Sequence, residues 1–211
     1  MGYQIVFKRH EIKFMLTVSE ANALKEYMQE YMKPDKYGKS TICNIYLDTP
    51  DYLLIRRSID KPTYKEKLRI RSYGVIKESD TAFFELKKKY DGIVYKRRLD
   101  LTEKEIYQSV ANKGGLPDTQ IGRELTYALN MYKNLEPKMF LSYEREAYYG
   151  RKDKSFRITF DKNILWRDYD LRLDLGVYGS AILDHDKVLM EVKTANSIPL
   201  WLCKFLSDNK I

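Results

Sequence analysis

Cysteine is scarce in this chain: Cys43 and Cys203 stand alone among 211 residues. Two thiols so far apart exclude a disulfide framework and a thiolate metal site, and they suit a reducing, cytosolic setting. Histidine is equally scarce. His10 lies on the outward parity of its strand and His185 in an expected hairpin turn, so both read as surface or structural residues and neither as a catalytic base. No run of eighteen apolar residues occurs, and the start "MGYQIVFKRH" lacks the apolar core of a signal peptide. Val6 stands where a myristoylation motif needs Ser or Thr. The chain is therefore expected to be soluble and cytoplasmic. Low-complexity linkers and internal repeats are missing too, so a single domain over 1–211 is expected.

What the chain has in quantity is positive charge. Lys and Arg outnumber Asp and Glu by 38 to 30, giving a net +8 and a pI near 9.2. That balance points to an anionic partner: nucleic acid, an acidic membrane surface, nucleotides or polyphosphate. With 44% hydrophobic residues a substantial core can be buried.

Strand signals cover 5–16, 40–48, 64–73, 81–90, 93–100, 138–149, 155–162, 164–173, 180–185 and 187–194, with Asp91-Gly92 as a tight turn. Helices are expected from a Ser19 cap to about Met32, from a Thr49 cap with Pro50 as the first helical residue, from the Thr102/Glu105 capping box, from near Asp118, and after Pro199. The final helix has only begun where the sequence ends at Ile211, which suggests C-terminal truncation.

The polar strands alternate. "YKEKLRIRSY" sets Lys65, Lys67, Arg69 and Arg71 on one face and Leu68 and Ile70 on the other. By the same parity Arg9, Glu11 and Lys13 share a face, as do Glu85, Lys87 and Lys89, Lys96 and Arg98, Tyr143 and Arg145, Arg157, Thr159 and Asp161, and Glu191 and Lys193. A sandwich with its charged faces in water would satisfy this pattern. A barrel with those faces turned inward would satisfy it too. The polar faces are rich in Arg and Lys with a few carboxylates among them, which favours an interior built to hold several phosphates and a divalent metal. Nucleic acid would explain the charge but not its confinement to one parity, and the binding face lacks aromatic platforms or a recognition helix.

The succession "HEIKF", "IYLDT", "KLRIRSYG", "FFELKKK", "YKRRL", "YEREAY", "RITFD", "LMEVK" and "PLWL", over about residues 8 to 202, resembles the VTC domain, the polyphosphate polymerase branch of the triphosphate tunnel metalloenzymes. The resemblance implies an α+β fold, an antiparallel eight-stranded β-barrel with flanking helices. It implies an ATP-dependent enzyme that moves the γ-phosphoryl group onto a growing inorganic polyphosphate or pyrophosphate acceptor with Mn²⁺ or Mg²⁺. Carried over motif by motif, Lys13, Arg69, Arg71, Lys87, Lys96, Arg145 and Arg157 would be phosphate ligands, with Tyr143, Lys89, Arg98 and Lys193 on the same face. Glu191 would be the principal metal ligand, joined by Glu11 and Glu85. Any membrane partner would be a separate protein holding the domain at the inner face. An inorganic or nucleoside triphosphatase on the same fold is the alternative, although those relatives open with Glu-x-Glu-x-Lys where this chain has Arg9, Glu11 and Lys13. A non-catalytic module that binds polyphosphate or nucleotide is the other.

Overall fold

The computed structural model describes residues 6–7, 10–60, 62–91 and 93–211. Arg9, Gly92 and the Ile5 start of the first expected strand lie outside the described residues. In chain order the elements are β1 (Val6–Phe7), β2 (His10–Thr17), α1 (Val18–Tyr27), β3 (Met32–Asp48), α2 (Leu53–Ile59), β4 (Tyr64–Tyr73), β5 (Thr81–Tyr90), β6 (Ile93–Thr102), α3 (Glu103–Asn112), α4 (Gln120–Met131), β7 (Glu136–Gly150), β8 (Arg157–Arg167), β9 (Ser180–Ala181), β10 (Lys187–Thr194) and α5 (Leu200–Asp208).

Among the described residues the strand order is β1-β6-β5-β4-β3-β7-β8-β10-β2, with β9 beside β8. Leaving aside the two-residue β1 and β9, this is an antiparallel sheet of eight long strands with helices against it. The expected barrel is corrected: the order is an open path with β1 and β2 at its two ends. Among the described residues, Val6↔Tyr95 and Phe7↔Val94 make up the ladder between β1 and β6. Alternation at period two states which side chains share a face. Closure depends instead on strand tilt and shear around the ring, which parity does not carry.

Contacts divide the chain into two compact units. The first comprises Met1–Phe7, Ile42–Ser142 and Leu165–Ser180. Its core joins Leu68 and Ile70 of β4 and Ala82, Phe84 and Leu86 of β5 to Ile106 of α3 and Leu125, Ala128 and Leu129 of α4. Each large apolar side chain so buried contributes roughly 1.5–3 kcal/mol. The Thr102/Glu105 capping box forms as expected: the Glu105 N–H donates to Thr102 Oγ1 at 3.2 Å, and the Thr102 N–H donates to Glu105 Oε2 at 2.8 Å. In α4, a Cβ added at Gly122 would meet Pro117 O at 1.9 Å, so only glycine allows the chain to pass there.

The α2 helix begins later than expected. The buried Asp48 carboxylate accepts from the N–H groups of Leu54 (2.8 Å) and Ile55 (3.0 Å), and Thr49 Oγ1 accepts from that of Leu53 (2.9 Å). Those acceptors fix the first turn at Leu53, leaving Pro50 in the turn before it. Likewise the two strands expected at 155–162 and 164–173 are one, β8, which stops at Arg167. The Arg167 guanidinium lies 3.6 Å from the Phe140 ring centroid and 4.1 Å from that of Tyr178. It donates to the backbone oxygens of Asp170, Arg172, Gly176 and Tyr178. The chain that follows is thereby folded into a loop instead of a continuing strand.

The second unit comprises Lys8–Thr41, Tyr143–Ile164 and Ala181–Ile211. Ile158 and Phe160 of β8 and Val188, Met190 and Val192 of β10 pack with Leu24 of α1 and Leu202 and Phe205 of α5. Thr17, not Ser19, caps α1. Its Oγ1 accepts from the Glu20 N–H at 3.2 Å while the Thr17 N–H donates to Glu20 Oε2 at 2.7 Å. The reciprocal box needs a carboxylate or amide of the right length three residues on, and Ser19 has only Asn22 there. The β3 strand starts at Met32, eight residues before the expected 40, because Pro34 and Gly38 mask its signal. Among the described residues no helix is long and apolar enough to cross a membrane.

Candidate functional site

In the first unit the cross-strand register collects the cations predicted from parity. Tyr46, Arg69, Glu85 and Arg98 form one row across β3, β4, β5 and β6, and Lys67, Lys87 and Lys96 form the next row on that face. Glu85 is their centre. Its Oε2 accepts from Arg69 Nε at 2.7 Å and lies 2.7 Å from Arg69 Nη2, and its Oε1 is 2.5 Å from Lys96 Nζ. Arg71 Nε is 3.9 Å away and donates instead to Asn44 Oδ1 at 2.9 Å. Asn44 is held in turn by donating to Leu141 O at 3.0 Å.

Burial pushes the Glu85 carboxyl up, but Arg69, Arg71 and Lys96 outweigh it and hold the group at about 2. Burial pushes the Lys96 ammonium down against the pull of Glu85. The Tyr46 phenol also falls below its usual range, because Arg69 and Arg71 reverse the upward effect of burial. Arg98 turns aside, its guanidinium 3.2 Å from the Phe83 ring centroid and its Nε donating to Asp100 Oδ1 at 3.1 Å. Lys89 is opposite Lys65 and is exposed, and Lys65 Nζ donates to Ser58 O at 3.1 Å.

The second unit holds a separate cluster on β2, β7, β8 and β10. Glu191 stands opposite Lys13 on one side and Thr159 on the other, and Lys193 stands opposite Glu11 and Arg157. The Glu191 carboxylate pairs with Lys13, with Lys193 Nζ at 2.6 Å and more distantly with Arg145 Nη2 at 3.9 Å. Burial pushes it up, and Lys193 and Lys13 bring it down to about 2. Burial also pushes the Lys193 ammonium down to about 8, although Glu191 pulls the other way. Arg145 makes a two-pronged pair with Asp161, Nε to Oδ1 and Nη2 to Oδ2, each at 2.6 Å, and lies 4.8 Å from the Tyr143 ring centroid. Arg157 is exposed beside this cluster.

Sequence reasoning passed over Asn44, Tyr46, Thr159 and Asp161 as site residues. Asn44 and Tyr46 share a parity within the otherwise apolar "CNIYL", and that spacing was the available signal. Among the described residues, no group of three or more His, Cys, Asp or Glu is placed to hold a metal ion by itself.

A family model, the VTC domain, matches residues 8–211. The chain belongs to the VTC domain family. Its function is accordingly of the polyphosphate-polymerase type, that of an ATP-dependent phosphotransferase. Comparison with curated proteins finds no match. Among solved structures, this VTC domain is similar to a provisionally named adenylate cyclase from Bacillus halodurans, with 15% identity, a TM-score of 0.57, and coverage of 97% of this chain and 92% of that one. It is also similar to a provisionally named adenylyl cyclase from Hippeastrum said to have a dominant triphosphatase activity, with 15% identity, a TM-score of 0.54, and coverage of 99% and 89%. At such identity these structures speak for the fold of the VTC domain alone.

Proposed function

We propose that this VTC domain binds ATP and inorganic polyphosphate or pyrophosphate and transfers the γ-phosphoryl group to the terminal phosphate of the acceptor. A terminal phosphate oxygen forms the new bond to Pγ, the bond from Pγ to the β–γ bridging oxygen breaks, and ADP leaves. The attacking oxygen is already anionic, so no general base is needed. The observation that carries this reading is the organisation of Arg69, Arg71 and Lys96 about the buried Glu85. A merely solvated face would spread its cations into water, whereas these are held in place before any anion arrives. In this proposal Arg69, Arg71, Lys87 and Lys96 are the phosphate ligands of the first unit, and Lys13, Arg145, Arg157 and Lys193 form the basic cluster of the second. Arg forks supply fixed planar geometry and Lys supplies point charge. Operation in the cytoplasm, where ATP is available, belongs to the same proposal.

Mn²⁺ or Mg²⁺ fits at Glu191. The carboxylate is held ionised, and Thr159 Oγ1 on the facing strand is buried with no hydrogen-bond partner among the described residues. Such an ion is commonly bound by one or two carboxylates together with substrate phosphates, so a cage of protein ligands is not required. Glu11, opposite Lys193, is the next oxygen donor on β2. When bound, the metal would neutralise charge on the phosphate oxygens.

Incubation with ATP and Mn²⁺, followed by gel separation, tests the assignment. Long polyphosphate with stoichiometric ADP is expected. Free phosphate alone would replace it with the triphosphatase reading, which the activity named for the Hippeastrum protein makes the natural rival. ATP bound but unchanged would leave a binding module.

A further inference from the structure

We infer that Glu85 is a positioning residue for phosphoryl transfer, not a metal ligand: it fixes the Arg69 fork and the Lys96 ammonium on one face of β4, β5 and β6. This deepens the polymerase reading and rests on it. Both carboxylate oxygens face cations on the two neighbouring strands, Oε2 accepting from Arg69 and Oε1 in an ion pair with Lys96 at 2.5 Å. The side chain is 1% exposed. A dication approaching it would have to lose its water and displace two ion pairs that hold the carboxyl ionised. By taking the Nε and Nη2 edge of Arg69, Glu85 sets the plane of that guanidinium. Its negative charge does the opposite of attracting phosphate. Attraction and positioning can therefore be separated by measurement, since removing the charge should leave anion affinity intact or stronger while disordering the groups that meet the transferring phosphate.

The test compares Glu85→Gln, which keeps the shape, with Glu85→Asp, which keeps the charge on a shorter stem. For Glu85→Gln, turnover with ATP should fall on the order of tenfold to a hundredfold, the cost of a misplaced charge-stabilising group. Its affinity for inorganic tripolyphosphate in EDTA should be unchanged or tighter, and Mn²⁺ half-saturation should stay where it was. Glu85→Asp should recover part of the turnover. A clear rise in Mn²⁺ half-saturation with tripolyphosphate binding intact would overturn the inference in favour of a metal ligand, and unchanged turnover would overturn it outright. If Glu85→Gln shows no cooperative melting, Glu85→Asp carries the test: reduced turnover at unaltered Mn²⁺ half-saturation supports positioning, and wild-type turnover rejects it. The Arg69 Nε–H resonance, assigned through Arg69→Lys, gives a readout independent of activity. Should the wild-type chain make no polyphosphate, the functional reading fails, yet loss of the ordered Arg69 signal in Glu85→Gln would still uphold the positioning role and its persistence would reject it.

Discussion

The two charge clusters contain the same ingredients and use them differently. In the first unit Glu85 is enclosed, with its partners Arg69 and Lys96 largely covered. In the second, Glu191 is also buried and one of its partners, Lys193, is covered as well, yet its other partner Lys13 has a side chain 55% exposed. Both carboxyls are held at about 2. An ion pair sealed from water gives up its partners only at large cost, whereas one with an exposed ammonium can exchange that ammonium for another cation. Under the proposed function, the first cluster fixes geometry and the second admits the metal. Similar titration at the two carboxyls hides that division.

The largest test removes the exchanging carboxylate. Glu191→Gln should lower Mn²⁺-dependent turnover by about a hundredfold or more, while tripolyphosphate binding measured by calorimetry in EDTA weakens little or improves. Equal turnover at matched Mn²⁺ would erase the contrast between the clusters.

Next comes the fixed fork. Arg69→Lys keeps the charge and loses the planar pair of N–H groups on Glu85, so turnover should drop about tenfold or more with a smaller change in KM for ATP. A loss confined to KM would make Arg69 a simple point charge.

A smaller effect is expected from pH. The folded-state value of Lys193, about 8, lies below the ordinary 10.5. The cost of burying its charge is thus present in full below pH 8 and is relieved as pH rises toward 10.5, so this group alone makes stability increase over that window. Binding should run the other way, because the ammonium neutralises above 8. Tripolyphosphate affinity should fall a few-fold, about 1 kcal/mol or less, across that value and lose the step in Lys193→Arg. Denaturant titrations alongside the binding curves check both signs.

The smallest effect belongs to Lys65, which donates to Ser58 O at one end of β4. Lys65→Ala should weaken ATP binding about two- to threefold at low salt, vanish near 0.5 M NaCl, and leave saturated turnover alone. Losses at Lys65 as large as those at Arg69 would reduce β4 to a uniform basic stripe.

Much of this was legible in the alternation of "YKEKLRIRSY" and "FFELKKK". Period two alone put Arg69, Arg71, Glu85 and Lys87 on one face, and the register agrees. The capping box at Thr102 was equally local and equally readable. Closure of the sheet was not, because it depends on how distant edges meet. Nor was Asp161 as a partner of Arg145, since that pair joins β7 to β8 through side-chain lengths that no spacing rule contains. Asp48 escaped notice for a similar reason: it caps a helix whose first amides lie up to seven residues ahead.

The grip of Arg167 has an evolutionary corollary. Its guanidinium binds carbonyl oxygens, which every residue possesses, so most side chains between 168 and 179 are not what holds that loop. Such a segment can accumulate substitutions without losing its anchor. The constrained positions are Leu173, fully buried in the core of the first unit, Tyr178, whose ring covers the guanidinium, and Gly179, where φ is +144° and a Cβ would meet Trp166 O at 2.3 Å. Variation among related sequences should therefore be permissive along most of the loop, strict where Leu173 enters the core, and abruptly strict at its exit.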